Sequence, residues 1–259
     1  MCFSLESQDM VIYEYPFNEL VRSLLRLEYL FERFHYYVEK DDAKDMHPAI
    51  PLIFDLGEIT ARADLKSSLM KELDRQKLSL EALRNQTSIN QNLLDSTLSE
   101  MNAIWQKINQ TMGKPNALIT DSEWLNTIRT RLNVPGGTSP VDLPSYYSWQ
   151  FIPAEQRRAI LKSYIAPLEP WNDACRMFLR LLRESGQAVK TMAPQGTFQQ
   201  TMSGKTYQLM RVYIEDPTIV PEISANKYML WARFMECDGL SKPRPITKDF
   251  EFHMFLCNF

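Results

Sequence analysis

The sequence predicts an α+β fold: an N-terminal, mostly α-helical domain followed by a small antiparallel β-sheet domain. Three observations carry this. Before residue 190 the apolar residues recur at the three-and-four spacing of helices. After Gly196 the period falls to two, in segments rich in Tyr, Phe, Trp, Val and Ile. Val11 to Tyr15 also reads as a strand and can join the later sheet. The expected organisation is therefore a disordered stretch 1–9, a strand 10–15, a helical domain 16–190 and a β domain 191–259.

The elements follow in order. Tyr15-Pro16-Phe17-Asn18 is a helix entrance in which Asn18 can cap. Leu20, Leu24, Leu27, Phe31, Phe34 and Val38 then form one apolar stripe about five turns long. Pro48 opens a short helix expected to end near Gly57. Leu65, Leu69, Leu73, Gln76, Leu80 and Leu83 mark a long helix, and Leu94, Leu98, Met101, Trp105, Ile108 and Met112 mark another. The polar break from Asn85 to Ser88 makes this pair an antiparallel hairpin. Further helices are expected near 121–132, 153–165 and 169–185. The stretch through Pro140 and Pro144 reads as a proline-ordered loop. Strands are expected at 206–214, 227–235 and 248–257, arranged as a meander.

Composition narrows the function. The 259 residues are 44% hydrophobic and 24% charged, enough for one or two domains of about 100–200 residues each. Four cysteines (Cys2, Cys175, Cys237, Cys257) contain no C-x-x-C pair, which excludes a disulfide scaffold and argues against a zinc site. Glu6 and Asp9 stand where a secretory signal would carry Lys or Arg, and no apolar run approaches a membrane span. A cytoplasmic protein is expected. Residues 1–120 hold 13 Lys+Arg against 18 Asp+Glu, whereas 129–211 hold 11 against 5. This mild, uneven charge argues against a bulk nucleic-acid binder.

No catalytic motif is present, so no enzyme and no cofactor are expected. Eight glycines form neither a P-loop nor a dinucleotide fingerprint. Pro135-Gly136-Gly137 reads as a turn needing positive φ rather than an anion cradle. His35, His47 and His253 lie on three separate elements, and Cys175 falls on an apolar helix face as a small core residue. Asp41-Asp42 and Glu215-Asp216 sit in turn-like, solvated contexts.

The basic residues are more informative. Arg22, Arg26, Tyr29 and Arg33 share one helix face, and Arg176, Arg180 and Arg183 repeat the device. On the strands, Tyr207, Leu209, Arg211 and Tyr213 share a face, as do Met229, Trp231, Arg233 and Met235. Arginine among aromatic rings suits an extended, partly acidic peptide, and also single-stranded nucleic acid. Local ion pairs with Glu28, Glu32 and Glu184 are the competing explanation.

Four strings carry a resemblance. Val11-Ile12-Tyr13-Glu14-Tyr15-Pro16-Phe17-Asn18-Glu19, followed by Arg22-x-x-x-Arg26-Leu27-Glu28-Tyr29-Leu30, is the first. Leu69-Met70-Lys71-Glu72-Leu73-Asp74-Arg75-Gln76 is the second. Arg129-x-Arg131-Leu132 through Pro135-Gly136-Gly137 to Asp142-Leu143-Pro144 and Trp149 is the third. Pro221-x-Ile223-Ser224 with Lys227 and Arg233-Phe234-Met235 is the fourth. In this order they resemble the ZapD family of Z-ring-associated cell-division proteins. The resemblance implies a non-enzymatic cytoplasmic homodimer recruited to the division site at mid-cell. Such a protein binds the C-terminal tail of FtsZ and cross-links its filaments into bundles that stabilise the Z-ring. No nucleic acid and no membrane are implied as partners. Carried over by position, the basic pocket for that tail would draw on Arg22, Arg26, Arg129, Arg131, Arg183, Lys190, Arg211, Lys227 and Arg233, with Arg26 foremost. The chain departs from the family pattern at Tyr146-Tyr147-Ser148, where a histidine is usual before the tryptophan, and at Ser139, where a cysteine is usual.

Overall fold

The computed structural model describes residues 10–86, 89–110, 113–202 and 204–259. The expected disorder of 1–9, the second half of the 85–88 break and Met112 fall outside them. The chain forms two compact units: Ser23–Leu179, and a second one assembled from residues up to Arg22 together with Arg180–Phe259.

The first unit is helical. Helix α1 (Glu19–Val38) starts in the other unit, where the Asn18 side chain accepts a hydrogen bond from the Val21 N–H at 2.8 Å, the expected cap. Its stripe is core: Leu24, Leu27, Phe34 and Val38 have no exposed surface. The helices α2 (Ala43–Met46) and α3 (Ala49–Thr60) follow. Helix α3 continues past Gly57, contrary to the expected stop. A Cβ there would come within 2.9 Å of Ile119 Cδ1, so this glycine serves close helix approach rather than termination.

Helices α4 (Ala63–Glu81) and α5 (Gln91–Gln110) form the predicted hairpin, joined near its connecting end by an Arg84–Asp95 ion pair at 2.8 Å. Then come α6 (Ala117–Thr120), α7 (Glu123–Arg131), α8 (Pro144–Trp149), α9 (Ala154–Ile165) and α10 (Glu169–Glu184). Helix α8 replaces the second half of the expected loop. Pro144 occupies its first turn, where a missing N–H costs nothing.

The second unit contains two four-stranded antiparallel sheets, not the expected meander. In one, β1 (Val11–Pro16), β4 (Leu209–Ile214), β8 (Phe250–Cys257) and β2 (Gln187–Ala193) lie in the order β1-β4-β8-β2. In the other, β6 (Met229–Glu236) is flanked by β3 (Thr197–Thr201) and β5 (Ile219–Ala225), and the two-residue β7 (Arg244–Pro245) pairs with β6. The N-terminal strand does join the sheet, pairing from Val11↔Ile214 to Pro16↔Leu209.

Two sheets form because each has one apolar face to cover. Met210, Val212, Ile214, Phe252 and Met254 from the first meet Leu230, Ala232 and Phe234 from the second in one buried cluster. Phe234 packs on Phe252 with ring centroids 4.7 Å apart. A single meander would leave these faces in water.

Candidate functional site

The first turn of α1, the connection after β3 and the tip of the β5–β6 hairpin enclose a groove of ≈540 Å³ within the sheet unit. Local structure sets each wall. At the hairpin tip the Asn226 side chain accepts hydrogen bonds from the Tyr228 N–H (2.8 Å) and Met229 N–H (2.9 Å), an Asx turn that projects Lys227 and Tyr228. The connection is held by Met202 N–H donating to Tyr228 O at 2.8 Å and by Lys205 N–H donating to Met202 O at 2.9 Å. The third wall is aromatic, with Tyr15 edge-on to Phe17 at 5.5 Å and Phe17 tilted against Tyr207 at 6.5 Å.

Arg22, Lys205 and Lys227 line this groove, and no Asp or Glu does. Among the described residues, Arg22 pairs with Glu19 at 3.5 Å, while Lys205 and Lys227 have no carboxylate within ion-pair distance. Lys227 Nζ sits 5.7 Å from the Tyr228 ring centroid. Three cations among four aromatic rings can hold a carboxylate-bearing segment and bury its apolar side chains.

The structure distributes the nine predicted basic residues among different environments. In the sheet unit, Arg22 and Lys227 share the groove. Arg183 and Arg211 instead converge on Glu14. Arg183 makes a bidentate contact, Nε to Oε1 at 2.8 Å and Nη2 to Oε2 at 2.7 Å, and Arg211 Nε lies 3.0 Å from Oε1. The β1–β4 register places Glu14 directly opposite Arg211. The Arg/aromatic face of β4 is thus an ion-paired one, with Arg211 also 5.1 Å from the Tyr213 ring centroid. Lys190 pairs with Glu251 at 2.8 Å. Arg233 lines a separate pocket with Glu222, Lys242 and Arg244 on the outer side of β6.

In the helical unit, Arg26 is exposed beside Tyr29, Asp55 and Glu58 in a shallow pocket of ≈300 Å³. Arg129 reaches Glu58 at 3.5 Å and stacks 5.4 Å from the Phe54 ring. Burial and the Glu58 charge push the Asp55 carboxyl above its ordinary value. Arg131 lies 3.8 Å from Asp142.

Other singled-out residues take structural parts. Cys175 is fully buried and its S–H donates to Leu24 O at 2.8 Å. Gly136 has φ 68°, as its turn reading requires, and the Gly137 N–H donates to Val134 O at 2.8 Å. His47 Nδ1 lies 2.6 Å from the Tyr146 hydroxyl, within rings of Trp124 and Trp149. Burial lowers the His47 pKa and pushes Tyr146 up to about 12. Among the described residues no group of three or more His, Cys, Asp or Glu is placed to hold a metal ion. No described helix is long and apolar enough to cross a membrane.

Sequence reasoning missed Lys205, because the connection that carries it has no period to read. Tyr15, Phe17 and Tyr228 were legible only as strand or turn residues; the pairing of β1 with β4 makes the first two a wall.

Fold and groove together define a two-unit α+β protein whose sheet unit carries a cationic, aromatic groove. The ZapD family model, described as a cell division protein, matches residues 25–233. The chain belongs to that family and is a cell division protein. The match includes Lys205, Tyr207 and Lys227, while Tyr15, Phe17 and Arg22 lie just before it.

Proposed function

We propose that this protein is a non-enzymatic division factor that binds the C-terminal tail of FtsZ through the Arg22–Lys205–Lys227 groove. As a homodimer, it cross-links FtsZ filaments into bundles at mid-cell, in the cytoplasm. The observation that supports this reading is a groove with three cations, four aromatic rings and no carboxylate in its lining, in a chain of the ZapD family. A short tail buries little surface and is ordered on binding, so each contact is weak. A dimer presents two grooves and a filament many tails, so avidity replaces affinity. The α4–α5 hairpin, with Leu78 and Leu93 two-thirds exposed, offers apolar area for the dimer seam.

Low-speed pelleting of GTP-assembled FtsZ tests this, with tail-truncated filaments in parallel. Pelleting of full-length filaments alone is the expected result; pelleting of neither, by folded dimeric protein, overturns it. Sedimentation of this protein as a monomer at micromolar concentration would remove the cross-linking mechanism. Because the contact is electrostatic, bundling should fade as salt rises.

A further inference from the structure

The groove makes no use of the second half of the arginine–tyrosine face of α1. There Arg33 stacks between two rings, 5.0 Å from the Tyr29 centroid and 5.8 Å from that of Tyr37. Two turns on, Lys40 Nζ lies 3.8 Å from the centroid of the Tyr36 ring, which meets Tyr37 edge-on at 5.1 Å. Tyr29 and Tyr36 are nevertheless 55% and 59% exposed. All five residues belong to the helical unit, on the side of α1 away from its buried stripe.

Local ion pairing does not account for this face. Among the described residues neither Arg33 nor Lys40 has a carboxylate within ion-pair distance. Glu28 and Glu32 project about 140° and about 100° around the helix from Arg33. Glu39 is held by Arg158 at 2.9 Å and by Lys162, and Asp41 by Arg158 at 3.1 Å. The two cations are fixed by rings instead. A guanidinium stacked on a ring keeps its in-plane N–H groups free for a planar acceptor. Arg33 spends one of them, from Nη2 to the Tyr37 hydroxyl at 3.3 Å.

This arrangement selects among anionic ligands. A nucleic-acid base would have to displace the cations to stack on these rings. A carboxylate meets the free guanidinium edge directly. Spacing selects what carries it. Seven residues of helix put Arg33 and Lys40 about 10.5 Å apart along α1. Side chains on one face of an extended segment recur at about 6.6 Å and its multiples, which misses that distance. Carboxylates seven residues apart on a helix reproduce it. Tyr29, Arg33, Tyr36 and Lys40 also follow the alternating steps of four and three through which helices meet side by side.

We propose that the Tyr29–Lys40 face of α1 docks an amphipathic helix of a partner protein. That helix carries carboxylates seven residues apart, which reach Arg33 and Lys40, and an apolar residue between them that packs on Tyr36. The contact is separate from the cation groove and does not depend on it.

The test is fluorescence anisotropy of the full chain with two labelled, helix-stapled peptides of identical composition and charge. In one, glutamates stand seven residues apart with leucines between them; in the other they stand five apart and so spread around the helix. The first should bind at least about tenfold more tightly. Arg33→Gln/Lys40→Gln, which removes charge from the face without reversing it, should abolish the difference, and Lys227→Glu should leave it intact. Equal affinities of the two peptides overturn the proposal, as does a difference that survives Arg33→Gln/Lys40→Gln or disappears with Lys227→Glu. Sedimentation of Arg33→Gln/Lys40→Gln should match the parent; a changed mass would assign the face to contact between copies of this chain and overturn docking of a partner. FtsZ pelleting, run alongside, stands or falls on the groove alone.

Discussion

Two clusters of cations in the same sheet unit, both beside aromatic rings, meet opposite surroundings. Around Glu14, the guanidinium groups of Arg183 and Arg211 are mostly withdrawn from water, with side chains 24% and 16% exposed and the shared carboxylate 17%. Their charge is used inside the fold, tying the last turn of α10 to β1 and β4. In the groove, Lys205 and Lys227 are exposed and face no carboxylate among the described residues. Charge there faces solvent. A cation's role is set by whether the strand register brings it a carboxylate, and that information is not local in sequence.

Substitutions on the two sides of this contrast should have opposite signatures. Glu14→Gln removes the carboxylate shared by two largely buried guanidinium groups and should cost roughly 3–5 kcal/mol of stability, read as a fall in Tm. Its tail affinity should be unchanged at temperatures where the variant is folded. The double variant Lys205→Glu/Lys227→Glu should behave inversely. Its Tm should stay close to the parent's while tail-peptide affinity falls by at least about tenfold, or about 1.4 kcal/mol, in an anisotropy titration. Equal Tm losses in the two variants would erase the distinction.

A smaller effect concerns the helical unit. His47 has its pKa lowered by burial beside Tyr146, so the folded state binds fewer protons than the unfolded chain below pH 6.5. Stability from this group is present above that pH and is lost as pH falls toward the lowered value. Thermal melts from pH 7.5 to 5 should therefore show a slope that His47→Gln flattens. Smallest of all, Lys190→Ala removes a surface pair with Glu251 and should leave Tm unmoved within error.

Much of this architecture is written in the sequence, and the part that is not has a physical reason. Helix α1 is legible because one face is buried along its whole length, giving an unbroken period. β4, β6 and β8 are legible because they lie inside the sheets and bury alternate residues. β2 is not, since six of its seven residues are wholly or partly exposed and nothing forces an alternation. β5 is masked by Pro221, tolerable only because the strand is an edge. The split into two sheets is invisible to periodicity, which shows that a face is buried but not what covers it. For the site, the family strings supplied Arg22 and Lys227; Lys205 had to wait for the fold that brings it beside them.

The composition of the sheet unit from both sides of the helical unit constrains how the chain can fold. Tyr13 donates its hydroxyl proton to the carbonyl of Ile219, across 206 residues of sequence, and β1 has no partner until β4 is made. At about 5–20 residues per second, that interval lasts about 10–40 s on a ribosome. The helical unit, continuous from Ser23 to Leu179, can complete itself in that time. Strand β1 meanwhile has an unsatisfied ladder on both sides, the state in which a nascent strand is most open to pairing with another chain. A chaperone that shields residues 11–16 during synthesis would therefore raise the yield of folded protein, since the β1–β4 ladder joins residues about 200 apart in sequence.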